Sequence, residues 1–170
     1  MSTTTETQEP VASGGQTFDI FGVQLQFLIS PEQASGKISV FRGTLPPGIV
    51  APLHSHEEPE IFYVLEGRLE VYQEDGAQRG WSTTGVGEIT AVPGNIKHAL
   101  RNTSSSPATT VMITQGQLYG FFREVAKPAS GQQPAPPSPE EMQHLFAVAA
   151  KYSYWMGSPE ENAAIGIQLG

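Results

Sequence analysis

The sequence predicts an all-β domain, a sandwich or barrel rather than a parallel sheet, followed by one C-terminal α-helix. Three observations predict it. Glycine (18) and proline (14) are abundant and spread along the 170 residues, which favours short strands joined by tight turns. Between Phe18 and Glu124, β-branched and aromatic runs recur at short intervals between Gly, Pro, Asn and Ser clusters. Past Ser138 the apolar spacing changes from strand-like to helical.

Taken in order, residues 1–16 are rich in Thr, Glu, Gln and Gly and read as a flexible tail. Its apolar content is too low to order it alone, so a partner subunit is what would hold it down. Residues 17–126 form the β-domain. Its candidate strands are Val23–Ile29, Lys37–Thr44, Ile61–Leu65, Arg68–Gln73, Gly87–Val92, Lys97–Asn102, Thr109–Gln115 and Leu118–Glu124. Glu66-Gly67 reads as a two-residue hairpin link, with Gly67 supplying a positive φ. Glu74–Arg79 reads as a looser surface turn. Residues 127–139 are a proline-rich, extended linker. Ser138 is a helix N-cap, Pro139 the first helical position and Glu141 the third. Met142, Leu145, Phe146, Ala149, Tyr152 and Met156 follow at helical spacing, and Gly157 is a stop. The expectation is a helix over 140–157 and a tail over 158–170.

Composition limits the function. The net charge of -8 argues against nucleic acid or an anionic membrane as a partner, since both require a basic face. There is no cysteine, hence no disulfide and no thiolate metal site. With an N-terminus that is neither a secretory signal nor a transit peptide, this fits a cytoplasmic protein. No apolar run approaches membrane-spanning length.

The chemistry lies in two glycine-bracketed segments, Gly48 to Gly67 and Gly87 to Asn102. His54 and His56 are two apart, so on a strand both leave the same face. Glu60 opens the next apolar run, and His98 starts a later one. Three imidazoles and a carboxylate suit one divalent first-row metal ion, and Mn, Fe, Ni, Co and Zn all fit such a set.

These segments resemble the paired motifs of the cupin superfamily. The first motif, G-x5-H-x-H-x3,4-E-x6-G, is matched at every fixed position from Gly48 to Gly67. The second, G-x5-P-x-G-x2-H-x3-N, is matched by Gly87, Pro93, His98 and Asn102, with Asn95 replacing the inner glycine. Asn tolerates a left-handed turn conformation better than other non-glycine residues, so the departure is mild. The resemblance implies a jelly-roll β-barrel with His54, His56, Glu60 and His98 as metal ligands. It also implies a homodimer, since small cupins commonly pair through their sheets.

Phe121-Phe122-Arg123-Glu124 and the linker 127–139 further resemble small single-domain cupins related to quercetin 2,3-dioxygenase. That resemblance implies a metal-dependent dioxygenase acting on an aromatic, flavonol or enol-type small molecule, with Glu60 also accepting a substrate proton. A non-enzymatic metal-cupin that binds a small molecule, and a metal-dependent isomerase or lyase, are the alternatives, because cupins host many activities.

Other residues read more plainly. Glu57 and Glu58 are expected to be solvated loop charges, the alternative being support for a ligand imidazole. His144 is expected on the exposed side of the helix. Arg68 and Arg101 are expected in surface ion pairs; as ligand clamps they would imply a carboxylate substrate. Phe41, Phe62, Leu100, Met112, Phe121 and Phe122 are core candidates, and those near the metal would line a pocket. The helix can pack on the barrel's outer face or on the pocket mouth. Tyr152, Tyr154 and Trp155 favour the mouth, as types that cover an aromatic ligand while keeping a polar edge wet.

Overall fold

A computed structural model of the protein describes residues 15–133 and 135–169. The N-terminal tail lies almost entirely outside them. In chain order the elements are β1 (Phe18–Ile20), β2 (Val23–Ile29), a 3-10 turn (Pro31–Ala34), β3 (Ile38–Leu45), β4 (Val50–Ser55) and β5 (Glu60–Glu66). Then come β6 (Arg68–Gln73), β7 (Gly80–Gly85), β8 (Ile89–Val92), β9 (His98–Arg101) and β10 (Ala108–Gln115). The chain ends with α1 (Gly116–Val125), β11 (Lys127–Pro128), α2 (Pro139–Lys151), β12 (Trp155–Met156) and α3 (Pro159–Ala164).

The strands form two antiparallel sheets. One has seven strands in the order β11-β1-β2-β3-β10-β5-β8, the other five in the order β12-β4-β9-β6-β7. Alternation decides which side chains meet between them. On β5, Glu60, Phe62 and Val64 face inward and are buried, while Tyr63 faces out and is exposed. Leu25, Phe41 and Met112 from the larger sheet pack with Leu69, Val71 and Leu100 from the smaller. This is the jelly-roll arrangement, and the all-β expectation holds.

The β5–β6 link is not the expected hairpin, since the two strands belong to different sheets, but it does turn at Gly67, whose φ of 67° is left-handed. A Cβ there would also run into the Pro107 carbonyl. Asn95 has φ 64°, the conformation its replacement of glycine requires.

Four sequence expectations change here. Residues 118–124 are not a strand but lie in α1. Leu118, Phe121, Phe122 and Val125 sit at spacings of three and four, and Leu118 and Phe121 are buried against α2. The aromatic pair raised the strand propensity, and tertiary packing overrode it. The second helix ends at Lys151 rather than 157, and the chain returns through β12 to pair with β4. The supposed tail carries α3 and buried Ile167. Phe146, expected on the buried stripe of α2, is half exposed; Leu145, Val148 and Ala149 make that stripe instead.

The linker is partly structured. Its first residues form β11 against β1, and the Lys127 ammonium pairs with Glu141 at the start of α2. The capping box read at Ser138 is present: Ser138 Oγ accepts from Glu141 N at 3.2 Å, and Glu141 Oε2 accepts from Ser138 N at 2.7 Å. Among the described residues, no helix is long and apolar enough to cross a membrane.

Candidate metal centre

Four elements bring the predicted ligands together. His54 lies on β4 and His98 opens β9; the two are direct cross-strand partners in the smaller sheet. Glu60 opens β5 in the larger sheet, and His56 sits in the connection between β4 and β5. The group therefore bridges the two sheets at one end of the barrel. One ligand-type atom from each of the four residues lies within 4.8 Å of the others. His56, Glu60 and His98 are buried.

Each imidazole is held by a backbone carbonyl two residues away. The Nδ1 atoms of His54, His56 and His98 meet the oxygens of Pro52 (2.6 Å), Glu58 (2.9 Å) and Ile96 (2.7 Å). With Nδ1–H donating, each ring turns its Nε2 lone pair to the common centre. The loop 56–58 is pressed on the turn at 94–95: Asn95 N donates to His56 O at 2.7 Å, and a Cβ on Gly94 would collide with the Glu57 carbonyl.

The electrostatics fit a cation. His98 Nε2 lies 2.9 Å from Glu60 Oε2, and His56 Nε2 is buried with no hydrogen-bond partner. Such an orphan nitrogen is costly unless something binds it. Burial, then the neighbouring His98 and His56, lower the His54 pKa from its ordinary value to about 3, so the ring is neutral. Burial alone would raise Glu60; the His98 hydrogen bond and the three imidazoles outweigh it and hold the carboxyl at about 2. For His98 burial is likewise outweighed, by Glu60, and its pKa is raised. A neutral His54 ring, an ionised carboxylate and an unsatisfied buried nitrogen suit a divalent metal ion.

A cavity of ≈ 150 Å³ opens on this group. Its walls are apolar, with Phe62, Leu100, Met112, Phe121 and Phe122 as expected. Phe41 is fully buried core instead. Beside the ligands, Thr110 and Tyr154 are the polar residues on the lining, and no Lys or Arg reaches it. Arg68 is exposed. Arg101 pairs with Glu70 at 3.1 Å and lies 3.8 Å over the Trp81 ring. His144 is exposed, as expected.

The helix reaches the mouth. Leu145 of α2, Tyr154 and Met156 line the cavity. Trp155 points elsewhere, to the outer face of the smaller sheet beside Leu53 and Ala99. Glu57 is exposed as expected, but Glu58 is not: it is 3 % exposed and accepts from the Tyr154 hydroxyl at 2.9 Å. The Tyr154 ring lies 5.3 Å from His56. Burial and then Glu58 push the Tyr154 pKa up, so the phenol stays protonated. The pairing was hidden because its partners lie 96 residues apart.

The fold and the four inward donors define a metal-type jelly-roll protein, and residues 41–114 match the cupin domain family Cupin_2. By that match residues 41–114 are a cupin domain. It is 32% identical over 116 residues to Germin-like protein subfamily 2 member 2 of Arabidopsis thaliana, covering 67% of this chain and 52% of that one. It is 30% identical over 115 residues to Germin-like protein 3-7 of Oryza sativa subsp. japonica, covering 65% and 49%. The chain thus spans about half the length of the curated relatives it matches. Among solved structures it resembles the polyketide cyclase RemF from Streptomyces resistomycificus, with TM-score 0.50 and 18% identity over 68% of this chain and 80% of that one. It also resembles Lactobacillus farciminis oxalate decarboxylase, with TM-score 0.51 and 17% identity over 59% and 30%. At these identities the structural likenesses speak to fold.

Proposed function

We propose that the protein is a metal-dependent cupin dioxygenase acting on an aromatic, flavonol or enol-type small molecule. The observation that carries this reading is an apolar cavity whose polar end is the His54, His56, Glu60, His98 group. Among the described residues no Lys or Arg lines it, so apart from the ion itself a carboxylate substrate such as oxalate would have no cationic clamp there. A cavity of this size takes a benzene-sized ring, so one ring would sit beside the ligands and any larger flavonol would extend toward the mouth.

His54, His56, Glu60 and His98 would hold one divalent ion, which supplies Lewis-acid polarisation of a substrate oxygen and a meeting point for oxygen. Glu60 is ionised, so it is able to accept the proton of an enol or phenol hydroxyl. The apolar walls orient the ring and exclude water. Homodimeric assembly and a cytoplasmic location belong to the same proposal; the absence of cysteine supports the latter.

A base beside a metal also suits an isomerase or lyase, and an apolar cavity suits a binding protein without turnover. Oxygen uptake separates the three. The protein is reconstituted with Mn, Fe, Co or Ni and offered a panel of flavonols and enediols. Oxygen consumption matched to product supports the dioxygenase. Conversion without oxygen uptake supports the isomerase or lyase, and binding without conversion supports the binding protein.

A further inference from the structure

The C-terminal segment beyond the matched cupin region grips the strand that carries His54. β4 and β9 do not pair evenly. Ala51 faces Leu100 and His54 faces His98, so Pro52 and Leu53 together oppose the single residue Ala99. This is a β-bulge, a device that re-aims a side chain. Here it turns the Pro52 carbonyl to accept from His54 Nδ1 at 2.6 Å, which fixes the direction of Nε2.

A bulge leaves backbone groups without ladder partners, and those groups must be satisfied elsewhere. For Leu53 the partners come from residues 157 and 162. Leu53 N donates to Asn162 Oδ1 at 2.9 Å, and Gly157 N donates to Leu53 O at 2.8 Å. Asn162 has no exposed surface, and its Nδ2 donates to the carbonyls of Gly157 (3.3 Å) and Ser158 (3.0 Å). A Cβ on Gly157 would come within 3.1 Å of Leu53 O, so glycine permits the approach. β12 continues the contact, with Met156 opposite His54 and Trp155 opposite Ser55. All of these C-terminal residues lie outside the matched region, 41–114.

We propose that Asn162 and Gly157 are positioning residues for the metal centre, clasping the Pro52–Leu53 bulge so that His54 is aimed before metal arrives. This rests on the metal-centre reading. A loosened bulge would free the His54 ring from the Pro52 carbonyl, and ligand ordering would then be charged against binding. Loss of such an outer contact typically weakens metal binding about 10- to 100-fold.

The test is Co(II) titration of the metal-free, full-length protein, read by affinity and by the visible Co(II) absorption band. Asn162→Ala is expected to bind about 10- to 100-fold more weakly and with an altered band. Ser158→Ala is the control: it removes the α3 cap hydrogen bond to Glu161 N (3.1 Å) but leaves the Leu53 contacts in place. It is expected to lower the melting temperature with affinity and band unchanged. If Asn162→Ala does not fold, Gly157→Ala, which presses a methyl on the Leu53 carbonyl, is expected to give the same weakening. Variants with wild-type affinity and band would overturn the clasp. So would Ser158→Ala weakening binding in step with its loss of stability. Failure of the wild type to bind Co(II) would instead overturn the metal centre itself.

Discussion

Each imidazole of the candidate centre is oriented by a carbonyl two residues from it, so the centre is built from short-range geometry and only its assembly is long-range. That is why the grouping was legible in sequence: the spacing of His54, His56 and Glu60 is local. Metal analysis of protein purified without chelator should give near one equivalent per chain. Clean apo protein that refuses Mn, Fe, Co, Ni and Zn would contradict this. Glu60→Gln tests the proton role. Gln can still present an oxygen to the ion but cannot take a proton, so turnover should fall about 10²- to 10⁴-fold while metal is still bound. Full activity in that variant would leave Glu60 a ligand alone. Glu58 was not legible, because its burial is created by residue 154. Tyr154→Phe removes the hydroxyl that serves Glu58 Oε1, while Oε2 already has no partner. An uncompensated buried acceptor costs about 1–3 kcal/mol, so the melting temperature should fall. An unchanged melting curve would mean that water replaces the phenol.

At the scale of elements, local signals that name a helix start were reliable and those that name a helix end were not. Ser138-Pro139-Glu140-Glu141 begins α2 with a closed capping box, and Ser158-Pro159-Glu160-Glu161 begins α3 with another. The second signal has the same form as the first and follows directly on Gly157, which by itself reads only as a stop. Gly157 serves instead as a point of close approach to Leu53. The strand reading of 118–124 failed for a different reason: aromatic density there serves a helix face packed on α2. The packing of α1 on α2 closes one side of the cavity, with Leu145 facing it and 8 % exposed. Leu145→Ala should cost about 2–5 kcal/mol, by lost burial and the void left behind. Denaturant unfolding measures it; a loss below 1 kcal/mol would show that α2 is only loosely seated on α1.

At the scale of the whole molecule, the two sheets differ in what covers their outer faces. The C-terminal segment covers the smaller one: Ile167 packs on Leu53 and Ala99, and the Trp81 indole donates to Ile165 O at 2.9 Å. The outer face of the larger sheet carries two apolar cross-strand rows. Val111, Tyr63 and Ile89 are successive partners in one, and Val40, Ile113, Ile61 and Ala91 in the other. Tyr63 is 42% and Ile89 63% exposed. An antiparallel sheet that faces water normally alternates apolar-in with polar-out; here the outer face is apolar over β5, β8 and β10 and becomes polar at Arg42 and Gln26 toward β2. Contiguous apolar surface of this kind marks an interaction site, and an isologous dimer uses the same patch on both copies. We propose this face, sheet on sheet, as the contact of the homodimer expected from the sequence. Light scattering at micromolar concentration should give twice the chain mass. Val111→Glu would place a carboxylate within the apolar contact, where its desolvation is costly. It should shift the species to the monomer while leaving metal stoichiometry unchanged, because Val111 points away from the cavity that Thr110 and Met112 line. A wild-type monomer, or a Val111→Glu protein that stays dimeric, would place this interface wrongly.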